Sequence, residues 1–201
     1  REPVALRLIG RHQVPNALAA AAIATAFDVP IEKIASGLST AEVSSKWRME
    51  ISEIGSVLVI NDSYNANPES MRAALETLRY FAQARGGRAW AFLGKMHELG
   101  VESDADHQRI IEYADSLEID HVVAVATSEY QSPTSSTLGT LGIHSFLHHV
   151  ADFSEALAIS KEITAGDVIL VKGSRAEGLE RLSDELKDFL RSHHLTSEGE
   201  R

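Results

Sequence analysis

The chain has 201 residues, of which 44% are hydrophobic and 24% charged, a composition typical of a folded globular protein and not of a disordered one. Its 29 acidic and 19 basic side chains give a formal charge of −10. The resulting electrostatic field repels a phosphate backbone, so nucleic acid is not an expected partner. The absence of cysteine removes disulfides and thiolate chemistry and favours a cytoplasmic location. No apolar run approaches the roughly 20 residues of a membrane span.

The first part of the sequence predicts a small, mainly helical region. Residues 4–9 have the apolar pattern of a strand, and the alanine-rich stretch 15–27 begins with a proline suited to a first helical turn. Residues 30–38 predict a second helix, and 39–47 are polar and aperiodic, as in a connection between domains. We therefore expect a first domain over 1–47. The sequence starts without an initiator methionine, so we expect it to be part of a longer protein.

From residue 51 onward, apolar strands alternate with amphipathic helices. The predicted strands are 56–60, 88–93, 121–126 and 167–171, and the predicted helices are 68–84, 103–117, 153–163 and 177–191. Such alternation predicts an α/β fold with a mostly parallel sheet and helices on both faces. We expect this domain to cover 48–192, followed by a polar tail at 193–201. Within it, 128–142 predicts a loop and 143–146 a short edge strand.

Polar segments follow four of these strands. They are 61–68, 94–100, 127–128 and 172–175. Because ligands bind outside the carboxyl ends of parallel strands, we expect these segments to share one edge of the sheet and to form the binding site.

The segment 61–68 (NDSYNANP) is the densest in polar groups. Asn67 precedes Pro68 and is predicted to cap the following helix. The carboxylate of Asp62 is a good acceptor for the paired hydroxyls of a ribose. A turn-forming role for Asp62 is an equally open interpretation.

The segment 172–175 (KGSR) places two cations, a hydroxyl and a glycine between a buried strand and a helix. This arrangement favours an anion site, in which Arg175 would bind a carboxylate in a bidentate manner and the helix start would add backbone donors. The alternative is a solvated turn in which Arg175 pairs with a surface acid.

Two common kinds of site are excluded by spacing. More residues separate Gly87 from Gly94 than a P-loop allows, Met96 follows the lysine after Gly94, and the intervening residues form a predicted strand. The nine histidines show no metal-ligand spacing, so we predict no metal site, with His97 in a loop and His107 on a helix surface.

Taken in order, five segments of the chain resemble the Mur ligase family, and the resemblance runs over about residues 8–182. The segments are 10–20 (GRHQVPNALAA), 48–50 (RME), 61–71 (NDSYNANPESM), 93–100 (LGKMHELG) and 171–175 (VKGSR). The SYNANP run resembles the branch of the family that joins D-alanyl-D-alanine to UDP-N-acetylmuramoyl-tripeptide in peptidoglycan synthesis. The resemblance implies a C-terminal Rossmann-like domain preceded by the end of a central ATPase domain.

The resemblance also implies an activity and its partners. Family members are ATP-dependent amide ligases that pass through an acyl phosphate, and ATP and Mg²⁺ would be held mainly by a central domain that this chain lacks. The chain would then be inactive alone, would carry no assigned catalytic residue, and would work with the missing N-terminal and central domains on the two substrates.

By position in the matched segments, the resemblance implies binding roles for nine residues. The ATP-binding residues would be His12 and Asn16 at the adenine, Arg48 at the phosphates and Asp62 at the ribose. The substrate-binding residues would be Tyr64, Asn65, Asn67, Ser174 and Arg175.

The sequence departs from the family pattern at two positions. Gln13 replaces an asparagine near the adenine, and Lys95 replaces an aspartate, which reverses the charge at a strand end. Two other classes of protein stay open: a stand-alone Rossmann-like module that binds a nucleotide or small anion, and a protein-interaction domain that uses its acidic surface and the loop 128–142.

Overall fold

The structure is a computed structural model that describes residues 1–8, 10, 13–41, 45–131 and 147–197, the last five without side chains. The chain divides into two compact units, Arg1–Lys46 and Trp47–Arg201. No helix in the described part of the chain is both long and apolar enough to cross a membrane.

The first unit contains the two predicted helices, α1 (Gln13–Ala26) and α2 (Ile31–Thr40). The strand predicted for 4–9 is wrong over residues 4–8, which have no regular secondary structure. A strand needs a neighbour to accept and donate its backbone hydrogen bonds, and the described residues of this unit contain no other strand to pair with.

The second unit alternates strands and helices. Its elements are β1 (Glu50–Ile54), β2 (Val57–Asn61), α3 (Pro68–Arg85), β3 (Ala89–Leu93), α4 (Ser103–Ser116), β4 (His121–Val125), β5 (Leu147–Val150), α5 (Phe153–Ile159), β6 (Val168–Lys172) and α6 (Leu179–Ser197). The six strands form one sheet in the order β1-β2-β6-β3-β4-β5. Only the β1–β2 pair is antiparallel, so the predicted mostly parallel α/β fold is confirmed.

The core lies on both sides of this sheet. One face packs on α5 and α6 through a cluster that includes Val59, Phe92 and Ile169. Helix α3 packs against β3 and β6 and also against α4. Strands β2, β3 and β6 are buried at every residue, as expected for inner strands covered by helices on both faces.

Two glycines let the chain pack tightly where β3 and β6 end. A Cβ atom on Gly173 would lie 2.8 Å from Cδ1 of Leu179 and 3.2 Å from the Cα of Gly94. The close approach of these two turns beneath the start of α6 therefore requires residues without side chains at both positions.

Several predicted boundaries differ from the observed ones. Strand β1 was not predicted, because its two glutamates hide the apolar alternation of a five-residue strand. The predicted strand 143–146 lies outside the described residues, and the observed strand begins at Leu147. The helix predicted for 153–163 ends as an α-helix at Ile159. Helix α6 continues into the predicted tail 193–201 as far as Ser197.

Candidate functional site

The carboxyl ends of β2, β6, β3 and β4 lie side by side, because these strands are adjacent and parallel. We call the residues directly after these four strands, with Lys172 at the end of β6, the carboxyl edge. Asp62 follows β2, Gly94 follows β3 and Ser174 follows β6 by two residues. The four segments predicted to share one edge therefore do so.

Asp62 is held at this edge from two sides. Its Oδ2 accepts a hydrogen bond from Lys172 Nζ at 2.6 Å, and its Oδ1 accepts one from the backbone N–H of Met49 at 3.1 Å. A carboxylate has about four acceptor positions. The side chain of Asp62 is 14% exposed, so the remaining positions are available to a ligand such as a pair of ribose hydroxyls.

Lys172 is almost completely buried, with 2% of its side chain exposed. Its Nζ donates to Asp62 and, at 2.9 Å, to the backbone carbonyl of Asn65. Burial lowers the pKa of Lys172 although the Asp62 carboxylate acts in the opposite direction. The nearby positive charge of Arg48 lowers that pKa further.

Arg48 and Tyr64 form a cation–π pair beside Asp62. The guanidinium carbon of Arg48 lies 4.2 Å from the centroid of the Tyr64 ring. The backbone N–H of Tyr64 donates to the carbonyl of Trp47 at 3.0 Å, which ties this turn to the start of the second unit. Trp47 and Met49 both have positive φ, at 61° and 50°, a conformation that is uncommon for residues other than glycine. This geometry lets the Met49 N–H reach Asp62.

Arg175 contacts two neighbouring side chains. Its guanidinium carbon lies 4.2 Å from the centroid of the Trp47 ring, and its Nη1 is 2.6 Å from Oε1 of Glu180. Arg175 thus pairs with an acid, as in the alternative to an anion site, but this acid is 16% exposed and is not a surface residue. The side chain of Arg175 is still 49% exposed. A guanidinium has five N–H donors, so Arg175 can also bind a second carboxylate.

Ser174 serves to hold the loop after β3. Its Oγ accepts from the backbone N–H of His97 at 2.9 Å, and its own N–H donates to the carbonyl of Lys95 at 3.0 Å. The His97 ring in turn contacts the carboxylate of Glu177. Ser174 is only 5% exposed, and the partner of its hydroxyl in the structure is a group of the protein itself.

The predicted surface position of His107 is wrong, because this side chain is fully buried. Its Nε2 accepts from the backbone N–H of Met96 at 2.9 Å, while its Nδ1 lies 2.7 Å from the carbonyl of Ser103. These partners require a neutral ring with the proton on Nδ1. The buried hydroxyl of Tyr130 donates to the carbonyl of Gly94 at 2.9 Å. His107 and Tyr130 thus fix the loop that carries Lys95.

Lys95, at the position of reversed charge, pairs with Glu129 in the segment after β4. Hydrogen bonds from Lys95 and from the Thr127 hydroxyl lower the pKa of Glu129 to about 2. The same contact raises the pKa of Lys95. The lysine is therefore compensated locally and adds little net charge to the carboxyl edge.

Asn67 caps α3, as predicted. Its side chain accepts from the backbone N–H of Ser70 at 2.8 Å, and the Ser70 hydroxyl accepts from the backbone N–H of Asn67 at 3.1 Å. Asn65 is exposed, and its side-chain oxygen accepts from the N–H of Ala66 at 2.9 Å. Both side chains thus satisfy local backbone groups around the turn that follows Asp62.

The residues predicted near the adenine lie in the first unit. His12 is outside the described residues, and Asn16 is exposed on α1, where its amide donates to the side chain of Gln13 at 3.1 Å. Within the described part of the chain, no three His, Asp or Glu side chains are arranged to hold a metal ion.

Sequence reasoning did not single out several residues that build the carboxyl edge. Trp47 and Met49 contribute through their backbone conformation, and Glu129 through its ion pair. Lys172 was predicted as one of the two cations of an anion site, whereas the structure buries its side chain and pairs it with Asp62. Its partners could not be inferred, since Asp62 lies 110 positions earlier in the sequence.

The fold is that of an α/β protein with a mostly parallel sheet, and its polar carboxyl edge lies where proteins of this class bind ligands. The chain belongs to the Mur ligase family: the family model described as "Mur ligase, glutamate ligase domain" matches residues 47–175.

Relatives of high similarity come from one branch of this family. The UDP-N-acetylmuramoyl-tripeptide--D-alanyl-D-alanine ligase of Mycobacterium tuberculosis is 38% identical over 199 residues, covering 91% of this chain and 39% of the relative. The enzyme of the same name from Escherichia coli is 34% identical over 188 residues, covering 92% of this chain and 39% of the relative. The chain thus spans about two fifths of the length of the relatives it matches.

Solved structures agree with this result. MurF from Acinetobacter baumannii superimposes with a TM-score of 0.76 at 31% identity, covering 92% of this chain and 39% of that chain. MurF from Thermotoga maritima in complex with ADP gives a TM-score of 0.74 at 22% identity, covering 92% of this chain and 40% of that chain. At that identity the second likeness concerns the fold alone.

Proposed function

We propose that this chain is the C-terminal part of a cytoplasmic, ATP-dependent ligase that joins D-alanyl-D-alanine to UDP-N-acetylmuramoyl-tripeptide in peptidoglycan synthesis. The observation that carries the proposal is the carboxyl edge itself. Asp62 is held there with free acceptor positions, Arg48 lies beside it, and Arg175 presents a half-exposed guanidinium from the neighbouring strand end. These groups suit a ribose, a phosphate chain and a terminal carboxylate, respectively.

As the resemblance to the family implies, Arg48 and Asp62 are assigned to the phosphates and ribose of the nucleotide, and His12 and Asn16 to its adenine. Asp62 would accept hydrogen bonds from the ribose hydroxyls. To meet the phosphates, the guanidinium of Arg48 would move off the Tyr64 ring or rotate over it. This movement would cost little, since an exposed cation–π pair is worth only about 0.5–1 kcal/mol. We assign Mg²⁺ and most phosphate contacts to the rest of the ligase, as the resemblance to the family implies.

The dipeptide and the reaction centre are assigned to the turn after β2 and the segment after β6. Tyr64, Asn65 and Asn67 would face the reacting groups, and Arg175 would bind the terminal carboxylate of D-alanyl-D-alanine. Ser174 would act mainly by holding the loop of His97, with which it already bonds.

In the proposed reaction, a carboxylate oxygen of the tripeptide attacks the γ-phosphorus of ATP and ADP leaves. The amine of D-alanyl-D-alanine then attacks the acyl carbon, loses a proton, and inorganic phosphate leaves. An acyl phosphate hydrolyses if water reaches it. The carboxyl edge would therefore act by covering the intermediate and orienting the amine, while the missing domains activate the phosphates.

The test is amide-bond formation with ADP release from UDP-N-acetylmuramoyl-tripeptide, D-alanyl-D-alanine, ATP and Mg²⁺. It compares this chain with the full-length protein that contains it. We expect product only from the full-length protein. Activity in neither protein would reject the proposed substrates, and nucleotide binding by this chain alone would then favour a stand-alone binding module.

A further inference from the structure

The side chain of Lys172 occupies an unfavourable place for a cation. It ends an inner strand in which every residue is buried, and 2% of it is exposed. Removing an ammonium group from water costs several kcal/mol even after the protein relaxes. The lowered pKa of Lys172 reflects this cost, because burial outweighs the attraction of the Asp62 carboxylate.

The two acceptors of Lys172 stand at either end of one turn. Asp62 Oδ2 accepts at 2.6 Å and the carbonyl of Asn65 at 2.9 Å. Between them lies Tyr64, whose ring supports Arg48. A single ammonium group therefore fixes the direction of the Asp62 carboxylate and the path of the backbone that carries Tyr64 and Asn65.

The remaining contacts of this turn do not replace those of Lys172. The Met49 N–H holds Oδ1 of Asp62 at 3.1 Å, which leaves the carboxylate free to rotate about that bond. The Tyr64 N–H bond to the carbonyl of Trp47 involves neither the Asp62 carboxylate nor the Asn65 carbonyl. Lys172 is the contact that spans from the carboxylate to the Asn65 carbonyl.

We propose that Lys172 is a positioning residue that couples the nucleotide-binding and dipeptide-binding parts of the carboxyl edge. This inference rests on the proposed function. In this role the buried lysine sets the geometry of Asp62 and of the turn up to Asn65, and the fold does not require it. Without its ammonium group, Asp62 rotates into solvent and the turn loses its fixed path.

Stability separates this role from a structural one. Replacing both partners of a buried ion pair by apolar residues is often neutral or stabilising, whereas removing one partner destabilises when the other charge stays buried. Asp62 is 14% exposed, so water can solvate it once the ammonium group is gone, and this limits the loss. Methionine matches the length of the lysine stem and has no charge to bury. Lys172→Met is therefore expected to keep a cooperative unfolding transition in urea, with a midpoint below that of the wild type by less than the loss of a fully buried pair would cause.

The test uses the full-length ligase with wild type, Lys172→Met and Lys172→Gln, measured with ATP and with 2′-deoxy-ATP. For Lys172→Met we expect KM for ATP to rise about tenfold or more, as when a hydrogen bond to a charged group is lost. Preference for ATP over 2′-deoxy-ATP should disappear, and KM for D-alanyl-D-alanine should also rise. Lys172→Gln, which keeps one donor group, should have KM values between those of the wild type and those of Lys172→Met.

A double-mutant comparison tests the mechanism. In the Asp62→Asn background, Lys172→Met should change KM for ATP much less than it does in the wild type, because both act through one carboxylate. Lys187→Met is the matched control, since Lys187 pairs only with Asp184 on α6 among the ion pairs described. It should leave both KM values unchanged.

The outcomes are distinct. If wild-type ligase forms no amide, the proposed function fails. If wild type is active and Lys172→Met keeps its KM for ATP and its preference for the ribose hydroxyl, the positioning role is wrong. Loss of cooperative unfolding in both Lys172 variants would also overturn it, because the lysine would then be needed for the fold.

Discussion

Arg175 keeps part of its guanidinium accessible although it already has local partners. Glu180 and the Trp47 ring both contact this group. The stack on Trp47 also holds the group flat and half-exposed, and this preorganises its unused N–H donors. A carboxylate ligand then binds without the loss of side-chain entropy that a free arginine would suffer.

Replacing Arg175 by alanine in the full-length ligase should raise KM for D-alanyl-D-alanine by about tenfold or more, the loss of a charge-assisted bond. KM for ATP should change far less, because Arg48 and Asp62 remain. Initial rates at varied dipeptide and ATP concentrations measure both constants. Arg191→Ala removes an arginine of α6, paired with Asp188, and should change neither. An unchanged dipeptide KM would reject the role of Arg175.

For single residues, the sequence predicted which side chains lie at the carboxyl edge but not which groups each of them contacts. The position of Asp62 followed from the rule for parallel strands, and the Asn67 cap followed from its place before Pro68. The burial of His107 could not be predicted, because it depends on a bond to Met96 in a different element. The contact between Lys172 and Asp62 joins residues 110 positions apart and leaves no local pattern.

Among the elements, α3 matters most to the candidate site because its first turn continues directly from the Asp62 turn. Asn67 and Ser70 satisfy each other's backbone N–H groups, and Pro68 occupies the first turn. The helix start therefore fixes the chain directly after the turn whose two ends, Asp62 and Asn65, are bonded to Lys172. Asn67 therefore caps the helix, and any contact with substrate would be made by a side chain that already has this structural role.

Asn67→Ala should lower the free energy of unfolding by about 1 kcal/mol, the usual cost of losing an N-cap. Asn67→Asp keeps the acceptor and should stay close to wild type. Urea unfolding of the 201-residue chain, followed by circular dichroism, measures both. Asn65→Ala, on the same turn but outside the helix, is the control and should have the smaller effect. Equal stability of Asn67→Ala and wild type would contradict the capping role.

Elements with a strong local pattern were predicted well, and those decided by tertiary contacts were not. The inner strands are unbroken apolar runs, so β2, β3, β4 and β6 were each predicted to within two residues at either end. Strand β1 is recognisable only through its pairing with β2. Residues 4–8 show the reverse case, an apolar pattern that forms no strand for lack of a described partner.

In the described part of the chain, the two units differ in the size of the apolar core that each one buries. The main buried cluster is drawn entirely from the second unit, from Ile54 to Leu190. In the described part of the first unit, the buried apolar side chains are Ala17 and Ala35. Large apolar side chains of α1 and the residue after it, including Leu18, Ile23 and Phe27, are exposed. An exposed apolar surface of this kind promotes self-association.

Residues 47–201 expressed alone should therefore fold and unfold in urea at nearly the same midpoint as the whole chain, since the main buried cluster is retained. They should also self-associate less, because the exposed apolar side chains of α1 are removed. Circular dichroism in urea and light scattering at several concentrations measure the two quantities. A large fall in the midpoint would show that the first unit contributes to the stability of the second.

The antiparallel direction of β1 has a mechanical consequence. Its register places Glu50 opposite Asn61, so the chain enters the second unit at the carboxyl edge, and Met49 and Trp47 are bonded to the turn there. A parallel first strand would have entered from the far edge. Tension on the preceding chain is thus applied beside Asp62 and is borne by the Met49 and Tyr64 bonds before the β1–β2 ladder is loaded. Any force that the rest of the protein exerts through this connection acts first on the residues that we assign to the ligand.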